Sequence, residues 1–313
     1  MLAASLPALA AASDQYPTRP VRMLLPFPPG GPSDLVARQF GQKLGEALGQ
    51  QVVPDNRSGA AGIVACEMAA RALPDGQTLL LGAIGNLSIN PHLYAKLSYD
   101  PVRDFAPVSQ LTATPYVLVV SSGVPVRSTR ELIALAKAKP GQLNYASGGV
   151  GTGNHLSAEL FRFSASLDLV HVPYKGASAA VGDVIGGQIQ MMFINLLPAL
   201  PHMKAGKLRA LGITSAARSA AAPDIPTIAE GGLPGFETSS WHGVLVPAKT
   251  PKAIIQRLYA ELAAIARQPE TRELMAAQGT DVVGGTPEQF ARFIQSETDK
   301  WGAVIRKTGI KAE

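Results

Sequence analysis

Twice in this chain a short apolar run leads into a glycine-rich turn and then into an amphipathic helix, and this arrangement restricts the fold more than any other feature. The first turn is Pro26-Phe27-Pro28-Pro29-Gly30-Gly31-Pro32-Ser33-Asp34; the second is Ala146-Ser147-Gly148-Gly149-Val150-Gly151-Thr152-Gly153-Asn154-His155. Residues 21–26, before the first turn, read as a buried strand. After it, Val36, Phe40, Leu44 and Leu48 recur at every fourth position. They share one face of a helix over 33–48, which Gly49 ends. Strands over 51–54 and 78–83 and an alanine-rich helix over 60–72 complete a β-α-β-α-β rhythm. Such alternation implies a largely parallel sheet with helices on its faces.

The second turn sits in a similar unit. Strands are expected over 116–120, 143–146, 169–172, 189–194 and 208–214, with helices over 128–139, from 154, and over 178–185. Ser128 with Glu131 reads as a capping box for the first of these helices. A strand over 243–246 is expected to return to the first unit. Thr250-Pro251 reads as an N-cap followed by proline at the first helical position, and Thr286 with Gln289 as a second capping box. The chain has 313 residues, more than one hydrophobic core usually holds. Two lobes are therefore expected: 14–116 together with 240–313, and 117–239, joined by two crossings of the chain.

Composition narrows the function classes. A hydrophobic fraction of 46% with 16% charged residues suits a well-buried globular protein and argues against disorder. The net charge is +5, from 28 basic and 23 acidic residues. No run of five like charges occurs and the few aromatics do not interleave with Arg or Lys, so no nucleic-acid partner is expected. A single cysteine, Cys66, excludes an internal disulfide and a cysteine-rich zinc site. Beside Ala65 and Met68 it reads as a small buried hydrophobe. Residues 1–13 look like the apolar core and cleavage region of a signal peptide, with Ala8-Leu9-Ala10 and Ala10-Ala11-Ala12 fitting the small-x-small rule, though without a basic leading segment. Export as a soluble protein is expected.

The chemistry lies in the two turns. Glycine lets backbone approach a ligand closely, and the helix that follows offers unpaired N–H groups with a partial positive charge. Together they form an anion site that needs no Lys or Arg. Either turn alone is equally an ordinary connection between strand and helix. Neither is a P-loop, because no Gly-Lys-Ser/Thr follows, and neither has dinucleotide spacing. Asp34 reads either as a carboxylate stabilising the helix end or as a ligand contact, and His155 as a packing histidine or a ligand contact. The other histidines show no metal-ligand spacing, no nucleophile elbow occurs, and no pair of acids stands out. No catalytic residue, metal or cofactor is expected.

Seven runs carry a family resemblance: P-F-x-x-G-G-x-x-D at 26–34, L-P-D-G-Q-T-L-L-L-G at 73–82, N-P-H-L-Y-A-K-L-S-Y-D-P at 90–101, Y-A-S-G-G-V-G-T-G-N-H-L-S-A-E-L-F at 145–161, H-V-P-Y-K-G at 171–176, K-A-G-K-L-R-A-L at 204–211 and P-T-I-A-E-G-G-L-P-G-F-E at 226–237. The chain resembles the Bug-type solute receptors of tripartite tricarboxylate transporters along nearly its whole length. The resemblance implies an α/β, two-lobed type II periplasmic-binding-protein (Venus flytrap) fold, each lobe a mostly parallel sheet flanked by helices. It implies a small carboxylate held by backbone groups of both turns, with water filling the rest of the pocket. By matching position, Phe27, Gly30, Gly31 and Asp34 belong to the first turn of the site, and Ser147, Gly149, Thr152 and His155 to the second. The segment Tyr174-Lys175-Gly176-Ala177 forms a third wall, and Asn86 and Asn195 are side-chain contacts. Expected partners are integral-membrane transporter subunits, the receptor itself being a monomer; the alternative is a ligand sensor docking on a membrane signalling protein. An enzyme of the same shape would need a nucleophile and base that the residues do not offer. One departure is plain. Relatives often carry V-D-L-M-F-D where this chain has Gln190 and Ile194 in place of the acids.

Overall fold

The computed structural model describes residues 16–174, 176–219 and 222–310. The signal-peptide-like segment 1–13 and Lys175 lie outside them. Strand β1 (Val21–Leu25) leads into helix α1 (Pro32–Leu48), β2 (Val52–Asn56), a 3-10 turn at Ala60–Gly62, α2 (Ile63–Ala70) and β3 (Thr78–Ala83). A π-helical stretch, Gly85–Ile89, runs into α3 (Asn90–Leu93) and then the long β4 (Phe105–Ser121). Next come α4 (Thr129–Ala138), β5 (Asn144–Ser147), α5 (Gly153–Ser164), β6 (Val170–Pro173), α6 (Ala177–Ile185), β7 (Met191–Asn195), α7 (Leu196–Lys204) and β8 (Leu208–Ile213). The chain ends with β9 (Ser239–Pro247), α8 (Lys252–Arg267), α9 (Pro269–Ala277), β10 (Asp281–Val282) and α10 (Pro287–Thr308).

The strands form one path, β2-β1-β3-β9-β4-β7-β5-β6, with β8 and β10 also paired to β4. Strand β4 belongs to two sheets. Its first part, Phe105 to Pro115, pairs with β9, and its second part, from Tyr116 onward, pairs with β7 and β8. Pairing is parallel among β1, β2 and β3 and among β5, β6 and β7. It turns antiparallel wherever β4 or β9 takes part, so each sheet is mixed rather than wholly parallel.

Helices cover both faces of each sheet, which is why the central strands read as continuous apolar runs. In β1, Met23 and Leu25 face the cluster containing Phe40, Leu44, Leu258 and Leu262, while Leu24 faces the one containing Cys66, Trp241, Phe290 and Trp301. The second sheet repeats the alternation: Leu118 and Val120 join Tyr145, Phe161 and Phe193, whereas Val117 and Val119 join Met192 and Ile194. Successive residues of a strand point to opposite faces.

Three local expectations differ from the structure. The strand at 116–120 is the end of β4, whose first part was hidden by buried polar residues. Ser109, Thr112 and Thr114 bond to the Gly285 carbonyl, His242 and Thr280, respectively. Helix α8 has Pro251, not Thr250, at its N-cap position and no side-chain cap, the Thr250 hydroxyl donating instead to the Pro247 carbonyl at 2.7 Å. In α4 the Ser128 side chain accepts from the Glu131 N–H, but Glu131 reaches back to the N–H of Arg127 rather than that of Ser128. The Thr286 and Gln289 box of α10 is complete.

Candidate functional site: a cavity at three helix N-termini

The first glycine turn is held by Asp34. Its carboxylate accepts from the Gly30 N–H at 3.1 Å, from Asn56 Nδ2 at 3.1 Å and from both Nε and an Nη of Arg38, at 2.8 and 3.1 Å. The Arg38 bonds hold the Asp34 carboxyl down at about 2, with the Gly30 and Asn56 bonds adding to the effect against the opposing pull of burial. These donors fix the turn and neutralise the one acid in the first turn of α1. Gly30 has φ +82°, a backbone conformation that side chains disfavour. Gly31 is extended, with φ −86° and ψ 175°. A Cβ on Gly31 would meet nothing nearer than the Pro28 carbonyl at 3.8 Å. Phe27 contributes its carbonyl to Asn56 Nδ2.

Gly30 and Gly31 open onto a cavity of 440 Å³. Across it stand Ala177 and Ser178, at the start of α6, and Asn195 and Leu197, at the start of α7. Three helix N-termini, from elements of both sheets, thus border one space. None of the three has a side-chain cap: the N-caps are Gly31, Gly176 and Asn195, without a side-chain hydrogen bond to the helix. Helices α4 and α10, by contrast, are capped by Ser128 and Thr286. Uncapped first-turn N–H groups point out of the helix and carry its partial positive charge. Among the described residues no Lys, Arg, Asp or Glu lines the cavity.

Its remaining walls are neutral. Thr114 and Thr280 bond to each other at 2.9 Å. His242, on β9, holds Ser33 Oγ at 2.7 Å and Thr112 Oγ1 at 3.3 Å through its two ring nitrogens. Burial pushes the His242 pKa down to about 4, so near neutral pH the ring is uncharged. It ties the first turn of α1 to the crossing strands.

The second glycine turn is closed on itself. Ser147 Oγ accepts from the Gly149 N–H and pairs with His171 Nε2 at 2.6 Å. The Thr152 hydroxyl is 2.7 Å from the Gly149 carbonyl and 2.6 Å from Asn154 Oδ1. His155 Nδ1 accepts from the Gly151 N–H at 3.1 Å. His155 stacks on His171 with ring centroids 4.0 Å apart, and His171 in turn on Tyr145 at 4.9 Å. Burial first, and the neighbouring His171 second, lower the His155 pKa to about 4.

The expected site residues are therefore not all in one wall. Gly30, Gly31 and Asn195 line the 440 Å³ cavity. Ser147, Gly149, Thr152 and His155 shape the second turn. That turn abuts the first cavity through Gly148, where an added Cβ would lie 2.9 Å from the Ala177 nitrogen. Its tip, Val150 and Gly151, borders a second cavity of 390 Å³ with Ala61, Asn90, Leu93 and Tyr94. Tyr174 donates from its hydroxyl to Asp183 Oδ2, and the Gly176 N–H donates to the Gly148 carbonyl at 3.1 Å. Asn86 is fully buried; its Oδ1 accepts from the Ala83 N–H and its Nδ2 faces Cys66 Sγ. Reading the sequence missed His242, Thr114 and Ser178. Thr114 lies in the unrecognised part of β4, and nothing in the sequence around His242 marks it as facing Ser33 across the fold.

This architecture has relatives. Residues 36–310 match the model of the tripartite tricarboxylate transporter family receptor. Protein BugT of Bordetella pertussis is 38% identical over 96% of this chain and 92% of its own. A solved R. palustris protein with adipate has a TM-score of 0.80 at 35% identity, covering 95% of this chain and 99% of that one. MatC from Rhodopseudomonas palustris, with bound malate, has a TM-score of 0.75 at 32% identity, covering 93% and 100%. The match along most of its length, with the same two-lobed fold in the solved relatives, makes this chain a member of the tripartite tricarboxylate transporter receptor family of periplasmic solute-binding proteins.

Proposed function

We propose that this protein captures a small carboxylate in the cavity between Gly30-Gly31 and the starts of α6 and α7, and hands it to the membrane subunits of a tripartite transporter. The observation that carries the reading is the meeting of three uncapped helix N-termini around a space without charged side chains. Backbone N–H groups and helix dipoles favour an anion there. Gly30, Gly31, Asn195, Ala177 and Ser178 are the direct contacts in this proposal, and Gly176 acts by tying the start of α6 to the Gly148 carbonyl. Asp34, Ser147, Gly149, Thr152 and His155 act by holding the two turns in shape; Phe27 and Tyr174 act at their flanks, and Asn86 from beneath the first turn. The lobes are 14–116 with 240–313, and 117–239, closing over ligand. The working form is an exported monomer, with segment 1–13 serving its export. No helix among the described residues is long and apolar enough to cross a membrane, which fits a receptor that relies on partner subunits at the membrane.

A thermal-shift screen of carboxylic acids against their amides tests the reading. At ligand concentrations roughly 100 times Kd, binding adds ~2.7 kcal/mol of stability, a shift of several degrees for a chain of this size. Acids are expected to raise the melting temperature and amides to leave it unchanged. A neutral sugar that shifts melting where no acid does would refute it.

A further inference from the structure

The two lobes meet in unlike ways on the two faces of the sheets that β4 joins. On one face, α5 of the second lobe lies against α10 of the first. Leu156 of α5 is fully buried in one cluster with Trp241, Trp301, Val304 and Ile305. Leu160, one turn further on, packs against that cluster and also against the second lobe's own core around Phe161 and Phe193. At the end of α5 the Lys307 ammonium sits 4.1 Å from the centroid of the Phe163 ring. The chain crossings are drawn into the same region. Gly153, the first residue of α5, has no room for a Cβ beside the Tyr116 hydroxyl. Ser157 Oγ donates to Thr238 Oγ1 at 2.9 Å.

On the other face, α1 and α9 of the first lobe stand across the 440 Å³ cavity from α6 and α7 of the second. The lobes touch there at the turn after α9. A Cβ on Gly279 would lie 3.4 Å from the Leu197 nitrogen and 3.5 Å from Leu197 Cβ. Leu197 remains 38% exposed, so this contact buries little apolar surface. Parting side chains that share a core exposes them to water at a cost proportional to their apolar area. Parting two walls of an existing cavity exposes far less. A rotation of one lobe that keeps the shared core intact must have its axis along α5 and α10, close to the crossings. Displacement then grows with distance from that line.

We infer that the packed seam between α5 and α10 is the pivot of lobe closure, and that the lobes part only on the side where α7 faces α9. The second glycine turn, at the start of α5, then moves least, and the start of α7 moves most. The two glycine turns form a nearly fixed frame, and α7 is the wall that opens and shuts. The inference rests on the reading of two closing lobes and not on the identity of the ligand.

Pulsed dipolar spectroscopy of two spin-labelled double variants of the full chain tests it, with no ligand added. Lys204→Cys with Leu274→Cys spans the mouth between α7 and α9. Ser164→Cys with Ala291→Cys spans the seam between α5 and α10. All four positions are exposed. The native Cys66 is buried, which pushes its thiol up to about 12, so it stays unlabelled. The mouth pair is expected to give a broad distance distribution that extends beyond the separation in the structure, and the seam pair a single narrow peak. Equal broadening of both pairs, or a broad seam with a narrow mouth, would overturn the pivot and leave two moving lobes standing. A single narrow peak from both pairs would overturn lobe closure itself.

Discussion

A carboxylate at the edge of a site for anions needs a reason, and Asp34 supplies one through its partners. With Arg38, Asn56 and the Gly30 N–H all donating to it, it acts as the brace of the first turn. Its folded pKa, about 2, lies below the usual 3.8, so the unfolded chain binds the proton more readily. The stabilisation is present above pH 3.8 and is lost as pH falls toward 2. Asp34→Asn is expected to cost about 2 kcal/mol at neutral pH in chemical denaturation, and to weaken ligand binding because the turn loosens. The two glycine turns separate under substitution. Gly31 has an ordinary φ and open space where a side chain would go, so Gly31→Val is expected to block binding at an unchanged melting temperature. Gly149 has φ +125°, so Gly149→Val strains the turn itself and loses fold and binding together. The glycine turns were legible from sequence because glycine types are scarce signals with a backbone cause. The inward use of Asn86 was not: a strand-end asparagine looks the same whether it faces the cleft or caps the Ala83 N–H inside the core.

Among the elements, α10 decides how the crossing strand β9 is held. Glu297 is buried and accepts from the indole N–H of both Trp241, on β9, and Trp301, on α10, at 3.1 and 3.0 Å, while Lys300 pairs with its other oxygen. Lys300 also donates to the Glu237 carbonyl just before β9. Glu297→Ala leaves two buried indole donors unpaired and is expected to cost about 3 kcal/mol. Trp241 and Trp301 are the only tryptophans, so the loss reads out directly as a change in intrinsic fluorescence. Helices such as α1 and α10 were legible through their periodicity and caps, since Val36, Phe40, Leu44 and Leu48 all enter one core cluster. The first part of β4 was not, because apolar alternation fails where buried threonines and a serine find partners on β9 and in the segments flanking β10. Those partners come together only in the assembled fold.

Across the whole molecule, β4 runs unbroken from one sheet to the other and β9 returns beside it. The cavity has walls from both sheets, with Thr114 and His242 near the crossing. Buried neutral histidines sit at both turns: His242 beside Ser33, and His155 stacked on His171. Burial lowers all three pKa values, to about 4 for His155 and His242. Unfolded histidine titrates near 6.5, so between pH 6.5 and 4 the unfolded chain binds more protons and stability rises with pH. It is complete above 6.5 and declines as pH falls. The melting temperature is expected to drop between pH 7 and 4, and His242→Gln to flatten that slope. The two-unit α/β organisation was legible from sequence; which residues of the two units share a cavity was not, because it depends on how the units meet.

Hydrogen exchange across the cavity tests the central claim most directly. Amides at the starts of α1, α6 and α7 are compared with and without the acid that gives the largest thermal shift. Slower exchange at all three starts together is expected, since the carboxylate would draw on N–H groups from both sheets. Protection confined to one of them, or appearing only at α4 and α10, would contradict a ligand held between the lobes by helix N-termini.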